Sequence, residues 1–204
     1  MSAGLLLRGL AIGFSIAAPV GPIGVLCIRR TLERGWRSGL LTGLGAASAD
    51  ALYGAVAGFG LTAVSNALVE QRTWLGLLGG VFLCCLGIRT LLAGPRGDDP
   101  QARPVAAGDW ASTFALTLTN PMTILSFAGI YAGLGVGTAG GDYADAGLVV
   151  VGVFLGSLLW WVILSAAVAR LRGHIGDRAR LWINRASGAI ILGFGVAALV
   201  AAAF

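Results

Sequence analysis

Six long apolar runs, separated by short polar stretches, dominate the hydrophobic pattern of the chain. They cover approximately 9–28, 40–64, 74–92, 111–136, 146–168 and 186–204. An α-helix rises 1.5 Å per residue, so about 20 apolar residues are enough to cross the hydrocarbon core of a bilayer. The pattern therefore predicts an all-α membrane protein, with six transmembrane helices that form one transmembrane domain over 1–204.

Composition and charge agree with a membrane protein. The chain is 57% hydrophobic and 11% charged, whereas about a quarter of a soluble domain is charged. All 14 basic residues are arginine, and twelve lie in three alternate connections: Arg29, Arg30, Arg34, Arg37, Arg89, Arg96, Arg103, Arg170, Arg172, Arg178, Arg180 and Arg185. By the positive-inside rule these connections are cytoplasmic, which predicts a multi-pass plasma (inner) membrane protein with both termini outside.

The two halves of the chain share prolines, glycines and polar residues at matching positions, which predicts an internal repeat. Repeat one covers about 4–93, a cytoplasmic linker about 94–109, and repeat two about 110–204. The matching positions are Pro19 with Pro121, Asp50 with Ser157, Gly80 with Gly188, and Gly87 with Gly195. Because each repeat has three spans, the second enters the membrane from the opposite side, and such inverted repeats are the plan of many secondary transporters.

Prolines are expected to break the first and fourth helices. A proline inside a helix removes one backbone donor and clashes with the carbonyl four residues earlier, so Pro19, Pro22 and Pro121 should free the carbonyls of Ser15, Ala18 and Thr117. Freed carbonyls favour cations, and the amides that start the second half-helix favour anions. An amino acid zwitterion needs both kinds of group.

Asp50 is the acidic residue deepest in any predicted span. An intramembrane carboxylate costs about 2.5–3.5 kcal/mol or more, so a functional role is the default hypothesis. It could exchange a proton near neutral pH, pair with a substrate ammonium, or be a neutral acid hydrogen-bonded across helices. The predicted substrate and coupling residues are Ser15, Pro19, Gly21, Pro22, Asp50, Thr117, Thr119, Asn120, Pro121 and Ser157.

The two proline breaks and the small-residue run that ends in Asp50 resemble the LysE/RhtB family of amino acid exporters. The resemblance rests on Pro19-Val20-Gly21-Pro22, Asp50 and Thr119-Asn120-Pro121. It implies a secondary transporter that expels amino acids or related small metabolites with an ion gradient, the proton being favoured. Many relatives have Asn-Pro-Lys at the second break, where this chain has Met122 in place of the lysine, so the substrate is left open.

Other functions are less consistent with the sequence. The chain has no lysine and so no P-loop lysine for an ATP-driven pump. Its lone histidine, His174, has no neighbouring ligand, and no second catalytic group lies near Asp50, so we predict no metal, no cofactor and no enzymatic activity. The expected partners are the lipid bilayer, the amino acid substrate and a coupling ion, and no nucleic acid; a homo-oligomer is possible. Two alternative functions stay open, a carrier of another solute or metal ion and a non-transporting membrane scaffold.

Overall fold

The computed structural model describes residues 2–19, 21–59, 70–92, 106–120, 123–124, 126–127, 143–174 and 176–203. All regular secondary structure in these ranges is helical, as predicted. The helices are α1 (Ser2–Ala17), α2 (Pro22–Arg34), α3 (Trp36–Gly58), α4 (Arg72–Leu91), α5 (Ala106–Leu118), α6 (Tyr143–Leu171) and α7 (Asp177–Ala203), with a 3₁₀ turn at Arg172–His174.

Four of the described helices are long and apolar enough to cross a membrane: α3, α4, α6 and α7. The pair formed by α1 and α2 passes the same test together, but it is bent by 80°. The described part of the chain thus contains four candidate spans, or five if the bent pair is one span. Of the predicted fourth span, residues 121–122, 125 and 128–136 lie outside the described residues. The protein is a multi-pass membrane protein.

The first proline break lies where the sequence predicts it, but its two prolines act differently. Helix α1 ends at Ala17, and α2 begins at Pro22 after an extended Gly21 (φ −99°, ψ −165°). A proline at the first helical position loses no hydrogen bond, because that amide has no intrahelical acceptor. Pro22 therefore starts a helix, and the expectation that it interrupts one is wrong.

A second break follows α5, which ends at Leu118. The backbone carbonyl of Asn120 accepts from the amides of Thr123 and Ile124 (3.1 and 3.3 Å), so a new helical turn begins there. The carbonyl of Thr117 accepts from the Asn120 amide at 3.3 Å. It is thus not freed, as the sequence predicted, because an i→i+3 bond closes the last turn. Pro121 and Met122 lie outside the described residues.

The helices pack in a pattern in which α3 lies at the centre, against α5 and α6, while α1 packs on α6 and α4 packs on α7. The glycines that the repeat equates meet crosswise. A Cβ on Gly195 would lie 3.0 Å from the carbonyl oxygen of Gly80, and one on Gly188 would lie 3.0 Å from that of Gly87. Such reciprocal contacts are typical of two elements related by a two-fold axis.

Candidate functional site

Asp50 lies at the contact between α3 and α6. Its side chain is 3% exposed, and its Oδ2 accepts a hydrogen bond of 2.7 Å from the Ser157 hydroxyl. One turn further along α6, the indole nitrogen of Trp161 donates to the same hydroxyl oxygen at 3.2 Å. Since the indole can only donate, it occupies an acceptor position of Ser157 and directs the hydroxyl proton to Asp50. The two residues that the repeat equates, Asp50 and Ser157, therefore contact each other.

Asp50 also lines a cavity of about 70 Å³. One water molecule needs about 10–15 Å³ of such volume, so the cavity has room for several waters or a small solute. Six of the predicted site residues lie together in its wall: Pro19, Gly21, Pro22, Asp50, Thr117 and Asn120. Ser157 is one hydrogen bond away, through Asp50. The cavity thus lies between the break that follows α1 and the break that follows α5.

The N-terminus of α2 faces this cavity. Gly21 precedes the helix and has no side chain that could cap it, and the first intrahelical donor is the amide of Val25, which bonds to the Gly21 carbonyl at 3.1 Å. The amides of Ile23 and Gly24 come earlier in the helix and have no intrahelical acceptor. Both residues line the cavity. Helix N-termini of this kind favour anions, through their amides and the helix dipole.

Two predicted site residues lie away from the cavity wall. Ser15 is exposed on the outer surface of α1. The Thr119 hydroxyl donates back to the carbonyls of Ala115 and Leu116, at 3.0 and 3.3 Å, because a threonine hydroxyl readily bonds within its own helix. Ser15 and Thr119 therefore do not line the described cavity, whose wall was expected to include them. Among the described residues, no group of three His, Cys, Asp or Glu side chains could hold a metal ion.

A buried charged cluster joins α2, α3 and α5, and sequence reasoning missed it. The charge pattern predicts that Arg29 and Arg30 lie in a cytoplasmic connection and Asp109 in the linker, yet the arginines are each 8% exposed and Asp109 is 4% exposed. Asp109 belongs to α5, which begins at Ala106. It lies 3.4 Å from Arg30 and 2.9 Å from Arg34.

The signal for this cluster was present in the sequence but was ambiguous. Counting arginines for topology treats them as loop residues once the first span ends near position 28. The 80° bend before α2 changes this, because the helix that carries these arginines runs to Arg34 and packs against α3. The acidic residue just before Trp110 was the one indication of a partner.

The sequence matches the LysE type translocator family over residues 14–202. YcgF of Bacillus subtilis, whose name describes amino acid efflux, is 29% identical over 195 residues, which are 94% of this chain and 93% of YcgF. The threonine efflux protein of Escherichia coli is 24% identical over 187 residues, 86% of this chain and 88% of the relative. The chemotactic transduction protein ChpE of Pseudomonas aeruginosa is 28% identical over 210 residues, 96% and 97% of the two chains. No solved structure matches the chain. The resemblance indicated by the two proline breaks and Asp50 is confirmed.

Proposed function

The chain belongs to the LysE type translocator family, a family of transporters and not of enzymes, and we propose that it exports a small neutral amino acid through the cavity at Asp50. One observation carries this proposal. Asp50 is the single ionisable side chain among the described residues that line the cavity, and it shares that cavity with the N-terminus of α2. A carboxylate and a helix N-terminus together match the two charges of a zwitterion.

In the proposed complex the substrate ammonium pairs with Asp50, and its carboxylate accepts from the amides of Ile23 and Gly24. The rest of the described wall is uncharged, and it combines the apolar side chains of Ile16, Ile23 and Trp161 with small or hydroxyl-bearing ones, among them Ala46, Thr117 and Thr123. Besides Asp50, none of the described wall residues carries a charge that could pair with a charged side chain of the substrate. The cavity therefore suits a small neutral amino acid, and threonine, which the name of one relative specifies, is the first one to test.

Asp50 also supplies a means of coupling to a proton gradient. A single carboxylate holds either a proton or an ammonium ion, so the two would compete for this site. If the protonated and substrate-bound forms both reorient across the membrane, inward movement of protons drives outward movement of amino acid. This makes the protein a proton–amino acid antiporter.

The same proposal includes an inverted repeat that surrounds the cavity. It is supported by the crosswise contacts of Gly80 with Gly195 and of Gly87 with Gly188, and by the contact between Asp50 and Ser157. Three arginine-rich connections favour a plasma membrane orientation in which these connections are cytoplasmic and both termini are external.

The test is a flux measurement on the purified protein in proteoliposomes. We expect labelled threonine, or another small neutral amino acid, to move saturably, and an imposed proton gradient to drive its uphill movement. A protonophore should abolish the uphill movement and leave exchange intact. If none of the neutral amino acids shows saturable flux above protein-free liposomes, the transport proposal fails, and a signalling role like the one in the name of ChpE becomes the better hypothesis.

A further inference from the structure

The charged cluster around Asp109 lies directly beyond the cavity. Ala46 in α3 and Thr117 in α5 line the cavity, and the residues one turn earlier in each helix, Thr42 and Thr113, accept hydrogen bonds from Arg30 at 3.1 and 2.9 Å. One helical turn rises 5.4 Å. The side chain of Arg30 also tilts toward the N-terminus of α2, as side chains in a helix do, and that terminus faces the cavity.

The cluster lies between the cavity and the end of the helices that we call the arginine-rich end, defined by Arg29, Arg30, Arg34 and Arg172. The hydrogen bond from Arg172 to the Leu32 carbonyl, 2.9 Å, places the end of α6 beside the end of α2. Both oxygens of Asp109 are bonded: Oδ1 pairs with Arg30 and Arg34, and Oδ2 accepts from Ser38 at 2.5 Å. Three helices are thereby joined across the route from this end to Asp50.

Opening this route requires that Arg30 and Asp109 separate. Removing one partner from a buried ion pair is strongly destabilising, because the other charge is left uncompensated. A zwitterion carries both replacements, since its carboxylate can pair with Arg30 and its ammonium with Asp109. With two arginines on one carboxylate, the cluster also has an excess positive charge that attracts the substrate carboxylate first.

We propose that Arg30 and Asp109 form the gate at the arginine-rich end, and that an amino acid zwitterion opens it. The substrate carboxylate replaces Asp109 as the partner of Arg30, and the substrate ammonium replaces Arg30 as the partner of Asp109. The proposal rests on the function proposed above and adds to it a second, transient binding site for the same substrate. The gate site recognises only the backbone charges shared by all amino acids, whereas the cavity at Asp50 binds these charges and also selects the side chain.

The test measures access to the cavity by thiol labelling. A reporter, Ala46→Cys, is introduced into the chain after the three native cysteines are replaced by alanine, and a membrane-impermeant thiol reagent is applied from the arginine-rich end. Asp109→Asn removes the charge of the gate and should raise the labelling rate at least about tenfold. Glu33→Gln is the matched control, because Glu33 pairs with Arg29 at the same end, at 3.0 Å. It should leave the rate unchanged.

A milder variant allows the gate to be tested if Asp109→Asn does not insert into the membrane. Ser38→Ala removes only the hydrogen bond to Oδ2 of Asp109, and it should raise the labelling rate two- to fivefold, as expected for about 0.5–1 kcal/mol. An unchanged rate in a correctly inserted Asp109→Asn or Ser38→Ala protein overturns the gate.

The zwitterion step is tested on the reporter protein with the gate intact. Threonine should accelerate labelling, whereas its methyl ester, which lacks the carboxylate, and lactate, which lacks the ammonium, should not. Equal acceleration by the ester or by lactate, or none by threonine, overturns this step. Labelling needs no net transport. If the parent protein transports threonine but Asp109→Asn is labelled no faster than the parent, the gate is contradicted and the proposed function is not. A protein without saturable flux contradicts the proposed function.

Discussion

Replacement of Asp50 by asparagine separates a binding role of its charge from a structural role of its shape. Asparagine has nearly the same shape, and its amide oxygen can accept the 2.7 Å hydrogen bond from Ser157, so the variant should insert and fold. What it loses is the negative charge that faces the substrate ammonium. A hydrogen bond to a charged group contributes about 1.5–3 kcal/mol, and 1.4 kcal/mol is a factor of ten. We therefore expect threonine to bind about ten- to a hundredfold more weakly.

The assay compares the concentration dependence of threonine flux in proteoliposomes that contain equal amounts of each variant. Asp145→Asn is the matched control, because it removes the same charge in the first turn of α6, and Asp145 is not part of the described cavity wall. Its flux should equal that of the parent protein. Ser157→Ala keeps the charge of Asp50 but removes its hydrogen bond. In membrane proteins such bonds contribute about 0.6–1.7 kcal/mol, so the half-saturating concentration of threonine should rise three- to twentyfold.

The reasoning is refuted if Asp50→Asn exports threonine against its gradient as the parent does, with the same half-saturating concentration. Asp50 would then be a neutral acid that joins α3 to α6, which is the alternative that the sequence left open. A loss of flux that accompanies a loss of folded protein would have a structural cause, so each variant is first examined by size-exclusion chromatography.

The remaining predictions concern packing and the supports of the site. Gly195→Ala should destabilise the protein by about 1–3 kcal/mol, because its Cβ has no room against α4. Gly193→Ala, with nothing within 4 Å, should leave the thermal unfolding midpoint unchanged; equal midpoints for both would contradict the contact. Trp161→Phe keeps an aromatic side chain but loses the indole N–H that orients Ser157, so threonine flux per folded protein should fall two- to tenfold, for about 0.5–1.5 kcal/mol. Because Trp161 is buried, the smaller ring should also lower the midpoint. Arg172→Gln loses its bond to the carbonyl of Leu32, and it should lower the midpoint while leaving the affinity for threonine unchanged.

The helical class and the two breaks could be predicted from the sequence because the bilayer restricts the backbone so strongly. In hydrocarbon every backbone polar group must be bonded internally, so long apolar runs form helices. Prolines have no amide hydrogen, which makes 18–21 a place where a helix ends. The local form of each break could not be predicted. Whether Pro22 interrupts a helix or starts one depends on where the preceding turn ends.

The candidate site was predicted in part, and the misses have a common cause. Asp50, Thr117 and Asn120 line one cavity, since intramembrane polar groups favour protein surroundings over lipid. Ser15 and Thr119 carry equally polar hydroxyls but lie elsewhere. The sequence shows which polar residues lie in a span, but the packing of the helices decides which of their side chains face the cavity.

The sequence by itself determined that this chain is a helical membrane protein of a transporter family, with a carboxylate in its second predicted span and a proline break on either side of it along the chain. Only the tertiary structure decided which charges are buried. An arginine at the end of an apolar run is solvated if it stands alone and buried if a carboxylate reaches it. For Arg30 that carboxylate is Asp109, which is 79 residues away in the chain. Local pattern cannot contain this pairing, because it exists only after α2, α3 and α5 have packed together.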